Sequence, residues 1–310
     1  MKIFNTQDME ALPVIGQGAS GVVFGYEEGT VLKLYRDTWT EAMVSSAYTV
    51  SDCVCAGGVT TAAPRELVKC GSRYGIIFDR LDGKALPVHI GADIEKRYAS
   101  GERMGRMLAA VHGLKADSGV FPSLHTMFSG ILERISGYFT EEQIRRFFDF
   151  LDSLPGGCCV LHGDFHENNI LVCGDEFYLI DLDSMCIGSP VFDLMQTYCT
   201  YRTPMPEEYR RYMNLTDEAL NEFLLKFLGS YFSARCGAVY DPSDAADRAV
   251  LIHYDELFTG ASAFMRFFAP LYMNAQPAEQ LREYVSSTIG PLFDLMGKLE
   301  KEFVETELPL

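Results

Sequence analysis

Basic residues are scarce in this 310-residue chain: 26 lysines and arginines stand against 43 aspartates and glutamates, a net charge of −17. Sequence-independent nucleic-acid binding needs a basic footprint, so no nucleic-acid partner is expected. No apolar run approaches the roughly 20 residues that a membrane-spanning helix requires. The opening stretch, Met1-Lys2-Ile3-Phe4-Asn5-Thr6-Gln7-Asp8, lacks the apolar core of a signal peptide. A soluble, cytoplasmic protein with no membrane partner is therefore expected. Repeats, low-complexity tracts and long linkers are missing as well, and nothing points to an obligate protein partner. The nine cysteines include no pair with zinc-ribbon spacing. Cys53-Val54-Cys55 and Cys158-Cys159 sit in apolar surroundings, and the thiols are expected to be reduced and mostly buried.

What is present is an ordinary folded composition, 48% hydrophobic and 22% charged, on a chain long enough for two lobes. The acidic balance is compatible with a cationic small substrate, although a solvated acidic surface explains it more simply.

Chemistry concentrates in Val160-Leu161-His162-Gly163-Asp164-Phe165-His166-Glu167-Asn168-Asn169-Ile170-Leu171-Val172, followed nine residues on by Leu179-Ile180-Asp181-Leu182-Asp183. Apolar residues flank both polar clusters, so each reads as a loop between buried strand-like runs. Upstream, Leu12-Pro13-Val14-Ile15, Val22-Val23-Phe24-Gly25-Tyr26 and Thr30-Val31-Leu32-Lys33-Leu34-Tyr35 read as three short antiparallel strands. The first turn, Gly16-Gln17-Gly18-Ala19-Ser20-Gly21, would let backbone N–H groups approach phosphate oxygens; a plain bulged hairpin explains it equally. It is neither a Walker loop nor a dinucleotide fingerprint, because no Gly-Lys-Ser/Thr follows and a strand comes next. Lys33, inside an apolar strand, needs a partner such as an ATP phosphate or an edge position.

Thr38-Trp39-Thr40-Glu41 fits a capping box opening a helix through about Cys55, closed by Gly57-Gly58. Arg73–Gly83 reads as a strand running out into a polar turn that could meet an adenine edge, and a routine strand-to-loop junction would look the same. Helical spacing covers Ala92–Leu114, with Gly101 interrupting its apolar face and His112 expected to pack or cap. One or two helices follow over Phe128–Leu154, with Glu141, Glu142, Arg145 and Arg146 on a solvated face. Three helices are expected at the end: one opened by Thr216, one over about Ala245–Phe268 and one over about Pro277–Val304. Asp255, Glu256 and Arg266 on these helices are candidate acceptor contacts.

A loop with Asp164 and, five residues on, Asn169 can aim a carboxylate at an acceptor hydroxyl while an amide oxygen meets a metal. Asp181 supplies a hard carboxylate, enough with one amide and nucleotide phosphates to hold Mg2+. Asp183 lies on the same side of an extended segment and is either a second ligand or a hydrogen-bonding partner. The residues alone also allow two different roles. The polar side chains could simply cap strand ends, or His162-x-Asp164-x-His166 could bind the metal of a hydrolase.

His162-Gly163-Asp164-Phe165-His166-Glu167-Asn168-Asn169 resembles the phosphotransferase signature of the aminoglycoside phosphotransferase and choline kinase superfamily. Ile180-Asp181-Leu182-Asp183 is similar to that family's metal-binding strand end, and Gly188-Ser189-Pro190-Val191-Phe192-Asp193-Leu194 to the helix start that follows. The resemblance covers roughly residues 10 to 200. It implies a bilobal, protein-kinase-like α+β fold. Residues 1–83 would form a nucleotide-binding lobe with a small antiparallel sheet and a hinge at about 78–84. Residues 84–310 would form a mostly helical lobe with the catalytic loop and acceptor site. The implied activity is transfer of the ATP γ-phosphate to a hydroxyl of a small molecule, of the aminoglycoside, choline or sugar kind. Asp164 would be the catalytic base, Asn169 and Asp181 the magnesium ligands, and Lys33 the phosphate clamp beneath Gly16, Gly18 and Ser20. The backbone of Asp79 and Leu81 would hold adenine, and His162 would be a structural support for the loop, with Asp183 a supporting residue. Two departures stand out. The helix carboxylate that should pair with Lys33 has no clear counterpart, since Glu41 comes early and the later helix reads Ala47-Tyr48-Thr49. A nucleotide-binding regulator with little turnover is the alternative this raises. The segment Asp181–Asp193 is also too short for a protein-kinase activation loop, which disfavours a protein acceptor.

Overall fold

A computed structural model describes residues 2–4, 11–273 and 276–310, so the stretch tested above for a signal peptide lies mostly outside the described residues. The strands are β1 (Lys2–Phe4), β2 (Val14–Gln17), β3 (Gly21–Gly25), β4 (Thr30–Tyr35), β5 (Pro64–Cys70), β6 (Arg73–Asp79), β7 (Lys84–Ala85), β8 (Cys159–Leu161), β9 (Ile170–Cys173), β10 (Glu176–Leu179) and β11 (Cys186–Gly188). The main helices are α1 (Glu41–Ala56), α2 (Ile94–His112), α3 (Leu124–Glu133), α4 (Glu141–Ser153), α5 (Pro190–Arg202), α6 (Glu207–Tyr212), α7 (Asp217–Cys236), α8 (Ala245–Met273) and α9 (Ala278–Glu305). The chain divides into two compact units, Met1–His89 with Glu167–Met185, and Ile90–His166 with Cys186–Leu310.

The first unit is built on a sheet of order β1-β5-β6-β4-β3-β2. Every neighbouring pair is antiparallel except β1 with β5, which is parallel. Alternation sorts its side chains. Leu32, Leu34, Val68 and Ile77 fill one face, while Tyr35 and Ile76 pack with Val44 and Ala47 of α1 on the other. Gly21 is required where β3 meets β4, because a Cβ there would lie 2.4 Å from the Leu34 carbonyl oxygen. The α1 helix starts two residues later than the capping box predicts. Its cap is Thr40, whose Oγ1 accepts the Met43 N–H at 3.3 Å. Trp39 is held outside the helix by its N–H to the Arg36 carbonyl and by its ring against Tyr35, 4.6 Å between centroids. The same unit carries a small antiparallel sheet of order β10-β9-β7.

The second unit is helical apart from the antiparallel pair β8–β11. Gly101 does not interrupt the α2 face. With Gly105 one turn on, it forms the line along which α7 packs. A Cβ on these glycines would sit 2.7 Å from the Phe223 oxygen and 2.3 Å from the Phe227 oxygen. The stretch expected to hold one or two helices splits into α3 and α4, the latter opened by a full Thr140–Gln143 capping box. Arg146, expected on a solvated face, makes a bidentate pair with Glu300 of α9 at 2.7 and 2.9 Å. The aromatic stripes are core: Phe128, Phe147, Phe264, Phe267 and Phe268 pack edge-on and stacked around one another. The α8 helix runs through Pro270 to Met273, past the expected end.

All nine cysteines are free thiols, but the expectation that most are buried fails. Only Cys70, Cys159 and Cys186 are buried, and Cys158 and Cys236 are exposed. The strand β8 begins at Cys159 and turns that side chain inward, leaving Cys158 in the preceding turn. Among the described residues no helix is long and apolar enough to cross a membrane.

Candidate functional site

A cavity of about 710 Å³ lies in the first unit, a volume that suits a nucleotide-sized ligand. Gly16, Gly18, Ser20, Lys33, Asp79, Leu81, Asn169, Asp181 and Asp183 all line it, together with apolar walls that include Val23, Val31, Phe78 and Leu171. Residues far apart in sequence thus share one space. The glycine turn is held from below. Gly18 N–H donates to the Gly21 carbonyl at 2.9 Å. Arg36 donates through Nε to the Ala19 carbonyl at 2.5 Å and through Nη2 to that of Gly18 at 3.0 Å. Arg36 engages these carbonyls where β4 ends. Its position just after the strand is the only sign of this role in the sequence, and it does not distinguish Arg36 from an ordinary surface arginine.

Lys33 has the partners that the sequence leaves open, and they are not on α1. The acidic residues of that helix, Glu41 and Asp52, are both exposed, and its buried face is Val44, Ala47, Val50, Ser51 and Val54. Lys33 Nζ lies 2.8 Å from Asp181 Oδ1 and 2.5 Å from Asp183 Oδ2. The Tyr35 hydroxyl donates to Asp183 Oδ1 at 2.8 Å. Burial works to lower the Lys33 ammonium, but the charges of Asp183 and Asp181 outweigh it and leave its pKa raised. Burial, reinforced by the Asp183 charge, lifts the Tyr35 phenol well above its ordinary value, so it stays a donor.

The segment carrying these acids departs from the extended form expected of it. Asp181 adopts a left-handed conformation, φ 61° and ψ 61°, and Leu182–Ser184 form a 3-10 turn. Asp tolerates that region better than most residues, because its short polar side chain can bond locally. The reversal lets two acids two residues apart meet one ammonium.

Asp79 has two commitments. Its carboxylate takes Arg65 in a bidentate pair at 2.6 and 2.8 Å, and its N–H donates to the Ala63 carbonyl at 2.9 Å. As to a metal, among the described residues no group of three or more His, Cys, Asp or Glu side chains is disposed to hold one. The histidine-ligated hydrolase loses its support there. Mg2+ is less demanding, since it keeps several waters and needs one or two protein oxygens beside substrate phosphates. The Asn169 amide and the more exposed Asp181 carboxylate, on the wall of one cavity, fit that chemistry.

In the second unit, Asp164 follows the short strand β8 and is gripped by one face of α5. Gln196 Nε2 donates to Asp164 Oδ1 at 3.1 Å. Thr197 Oγ1 donates to the Phe165 carbonyl at 3.1 Å. Asp193 accepts the N–H groups of His162 and Gly163 at 2.7 and 2.8 Å. These three residues fall at i, i+3 and i+4, one side of the helix. Polar residues at that spacing on one side of the helix are the signal for Gln196 and Thr197, which motif matching alone passes over. Gly163 sits at φ 78°, the turn the two donors need. Behind Asp193 stands His112, fully buried, with Nε2 3.1 Å from Asp193 and Nδ1 2.8 Å from the Tyr231 hydroxyl. Nε2 faces an acceptor-only carboxylate and donates to it, while Nδ1 meets the Tyr231 hydroxyl, which burial keeps protonated. His112 thus packs, as expected, but as a link in the loop's support.

His162 is buried, and its Nδ1 accepts the Asp164 N–H at 3.3 Å. Burial pushes the Asp164 carboxyl up. The hydrogen bond and charge of His166, the His162 charge and the Gln196 amide outweigh it and leave Asp164 below its ordinary value, hence ionised at neutral pH. Of the candidate acceptor contacts, Asp255 is committed to Arg202 at 2.9 and 3.0 Å and to the Tyr198 hydroxyl at 2.9 Å. Arg266 donates to Ser262 at 2.8 Å, and Glu256 is exposed.

Several solved structures share this fold. A choline/ethanolamine kinase family protein from Mesorhizobium loti is 17% identical, with 94% of this chain and 92% of that one covered at a TM-score of 0.53. Aminoglycoside phosphotransferase APH(2'')-Ib, bound to ADP, is 15% identical, with 94% and 96% covered at 0.56. Amicoumacin kinase hAmiN, in complex with AMP-PNP, Ca2+ and Ami, is 14% identical, with 94% and 89% covered at 0.56. A search of curated protein sequences returns no match. The α+β architecture is therefore the kinase-like one of these phosphotransferases. A model of the phosphotransferase enzyme family matches residues 12–224, more than half of the chain and both clusters described above, and the chain belongs to that family.

Proposed function

We propose that the protein is an ATP- and magnesium-dependent O-phosphotransferase that moves the γ-phosphate to a hydroxyl of a small molecule. The observation that carries this is the cavity of the first unit, where glycine turn, lysine, strand end, amide and carboxylate converge. Adenine offers one donor and one acceptor on its edge. With the Asp79 N–H already used, the Asp79 carbonyl accepts from it and the Leu81 N–H donates to it. The turn Gly16–Gly21 covers the phosphates, and Lys33 keeps one of its three ammonium protons for them. Asn169 and Asp181 hold magnesium, which would supply charge compensation for the phosphate oxygens.

Asp164 accepts a hydrogen bond from the acceptor hydroxyl. As a carboxylate with a lowered pKa it is a weak base, so it orients the nucleophile and takes the proton late. The acceptor oxygen then bonds to the γ-phosphorus, the bond from that phosphorus to its bridging oxygen breaks, and ADP leaves. Catalysis is chiefly positioning and charge compensation. A small acceptor suits the link between the Asp181 cluster and α5. A 3-10 turn and β11 fill it, so it lacks the length for a protein-binding loop. The acidic balance suits a cationic acceptor, and the free thiols suit the cytoplasm.

Calorimetric titration with ATP and magnesium tests the first half; a folded protein that binds no nucleotide removes the proposal. ATP consumption across aminoglycosides, choline, sugars and amino-alcohols tests the second half. Asp164→Ala should lower any turnover by roughly 10²–10⁴-fold. Tight binding without turnover on any acceptor would restore the regulator. That alternative is motivated by a missing Lys33 partner, and Lys33 has two.

A further inference from the structure

We infer that Asp183, anchored by Tyr35, is the residue that positions Lys33 for phosphate, in place of a helix carboxylate, and is not a metal ligand. The inference rests on the nucleotide reading of the cavity.

Both Asp183 oxygens are engaged from within the protein. Oδ2 meets the Lys33 ammonium at 2.5 Å and Oδ1 the Tyr35 hydroxyl at 2.8 Å. Its side chain is 12% exposed, whereas that of Asp181 is 43% exposed. The two acids therefore differ in role by environment: Asp181 faces the space where a ligand would sit, and Asp183 faces donors. A cation at Asp183 would have to compete with a buried ammonium on one carboxylate oxygen and a buried phenol on the other, whereas Asp181 meets the same ammonium through Oδ1 on a side chain that is far more exposed.

The anchor is built into one strand. Lys33 and Tyr35 are two residues apart on β4 and share a face. Tyr35 is 1% exposed, packs against Trp39 with the rings tilted by 36°, and places its ring 5.0 Å from the Lys33 ammonium. The phenol thus fixes the carboxylate, the carboxylate fixes the ammonium, and the ring flanks it. A carboxylate on α1 would be redundant here, which accounts for the helix turning Ala47 and Ser51 inward instead.

Two measurements separate this role from a metal ligand's. The first uses the metal-free, nucleotide-free protein: the rate at which an amine reagent modifies Lys33, read by peptide mass spectrometry. It should rise about tenfold in Asp183→Asn and by a smaller factor in the charge-neutral Tyr35→Phe, in line with loss of a charge-assisted hydrogen bond. The second is the magnesium concentration that half-saturates nucleotide turnover. It should stay within about twofold of wild type in Asp183→Asn and Tyr35→Phe while the KM for ATP rises, and shift tenfold or more in Asp181→Asn. Unchanged Lys33 labelling in both variants overturns the inference, as does a tenfold magnesium shift in Asp183→Asn. Asp183→Glu, which keeps the charge, should recover part of the loss in ATP affinity. Should Asp183→Asn fail to fold, Tyr35→Phe alone decides. Failure of the wild type to bind nucleotide would instead strike the cavity reading, and Lys33 labelling would still report whether Asp183 and Tyr35 hold the lysine.

Discussion

Replacing Asp193 with asparagine should weaken the second unit more than almost any other change of one functional group. The side chain has no exposed surface and accepts from His162 N–H at 2.7 Å, Gly163 N–H at 2.8 Å and His112 Nε2 at 3.1 Å. In Asp193→Asn one acceptor oxygen becomes an NH2 group, so at least one of these buried donors faces another donor. Leaving a buried donor unsatisfied costs about 1–3 kcal/mol. The remaining bonds fall from charge-assisted to neutral, about half their strength, for ~1 kcal/mol each. The sum, about 3–5 kcal/mol, matches the cost of breaking a buried charged pair elsewhere. A unit of roughly 200 residues loses about 2–4 °C of Tm per kcal/mol, so scanning calorimetry should show a fall of about 6–20 °C. Because two of the donors belong to the turn that carries Asp164, kcat should fall in the surviving folded fraction with little change in the KM for ATP. A Tm within about 2 °C of wild type would refute this assignment of the three bonds, since no arrangement of an amide satisfies all three donors.

Three further outcomes concern separate parts of the molecule. Gly105→Ala places a methyl 2.3 Å from the Phe227 oxygen and should cost about 1–3 kcal/mol in chemical denaturation, whereas Gly18→Ala, with nothing within 4 Å of its Cβ, should leave stability near wild type. In the native protein a thiol reagent at pH 8 should react quickly with Cys158 and Cys236 and not with Cys159, which burial pushes up to about 12; fast labelling of Cys159 would contradict its placement. The folded pKa of Asp164 lies below its ordinary 3.8, so the stability it contributes is present above that value and lost as pH falls through the folded pKa. The acid limb of kcat/KM should sit below 3.8 and move up in Gln196→Ala, which a pH–rate profile would show.

How much of the molecule is legible in the sequence depends on whether the signal is local. The β3 and β4 strands and the Thr216 cap are set by alternation and turn chemistry and fall within a residue of where the sequence places them, while β2 runs on to Gln17, two residues into the expected glycine turn. The partner of Lys33 cannot be read this way. It is 150 residues away, and it is reached only because Asp181 takes a left-handed conformation that a strand pattern does not announce. The same holds for Gly101 and Gly105, which look like a break in the apolar face of α2. The contact they permit belongs to α7, and one helix's periodicity does not show what packs against it. The early cap at Thr38 fails for a related reason. Trp39 gains more by packing on Tyr35 than by entering the helix, a tertiary preference laid over a local one.

The charges lining the cavity carry a consequence for the proposed chemistry. Lys33 and Arg80 face four carboxylates, those of Asp79, Asp82, Asp181 and Asp183. Asp79 is offset by Arg65 outside the lining, and Arg80 by Asp82, which leaves the phosphate end with one ammonium against two acids. A polyphosphate entering such a wall meets net repulsion, and one lysine bound by two carboxylates does not relieve it. On the proposed reading, nucleotide and divalent cation must therefore bind as linked ligands, each raising the affinity for the other by the same factor. Asp183, the more buried acid, fixes the lysine, and Asp181, the more exposed one, faces the cation, so the clamp and its dependence on the cation come from different residues.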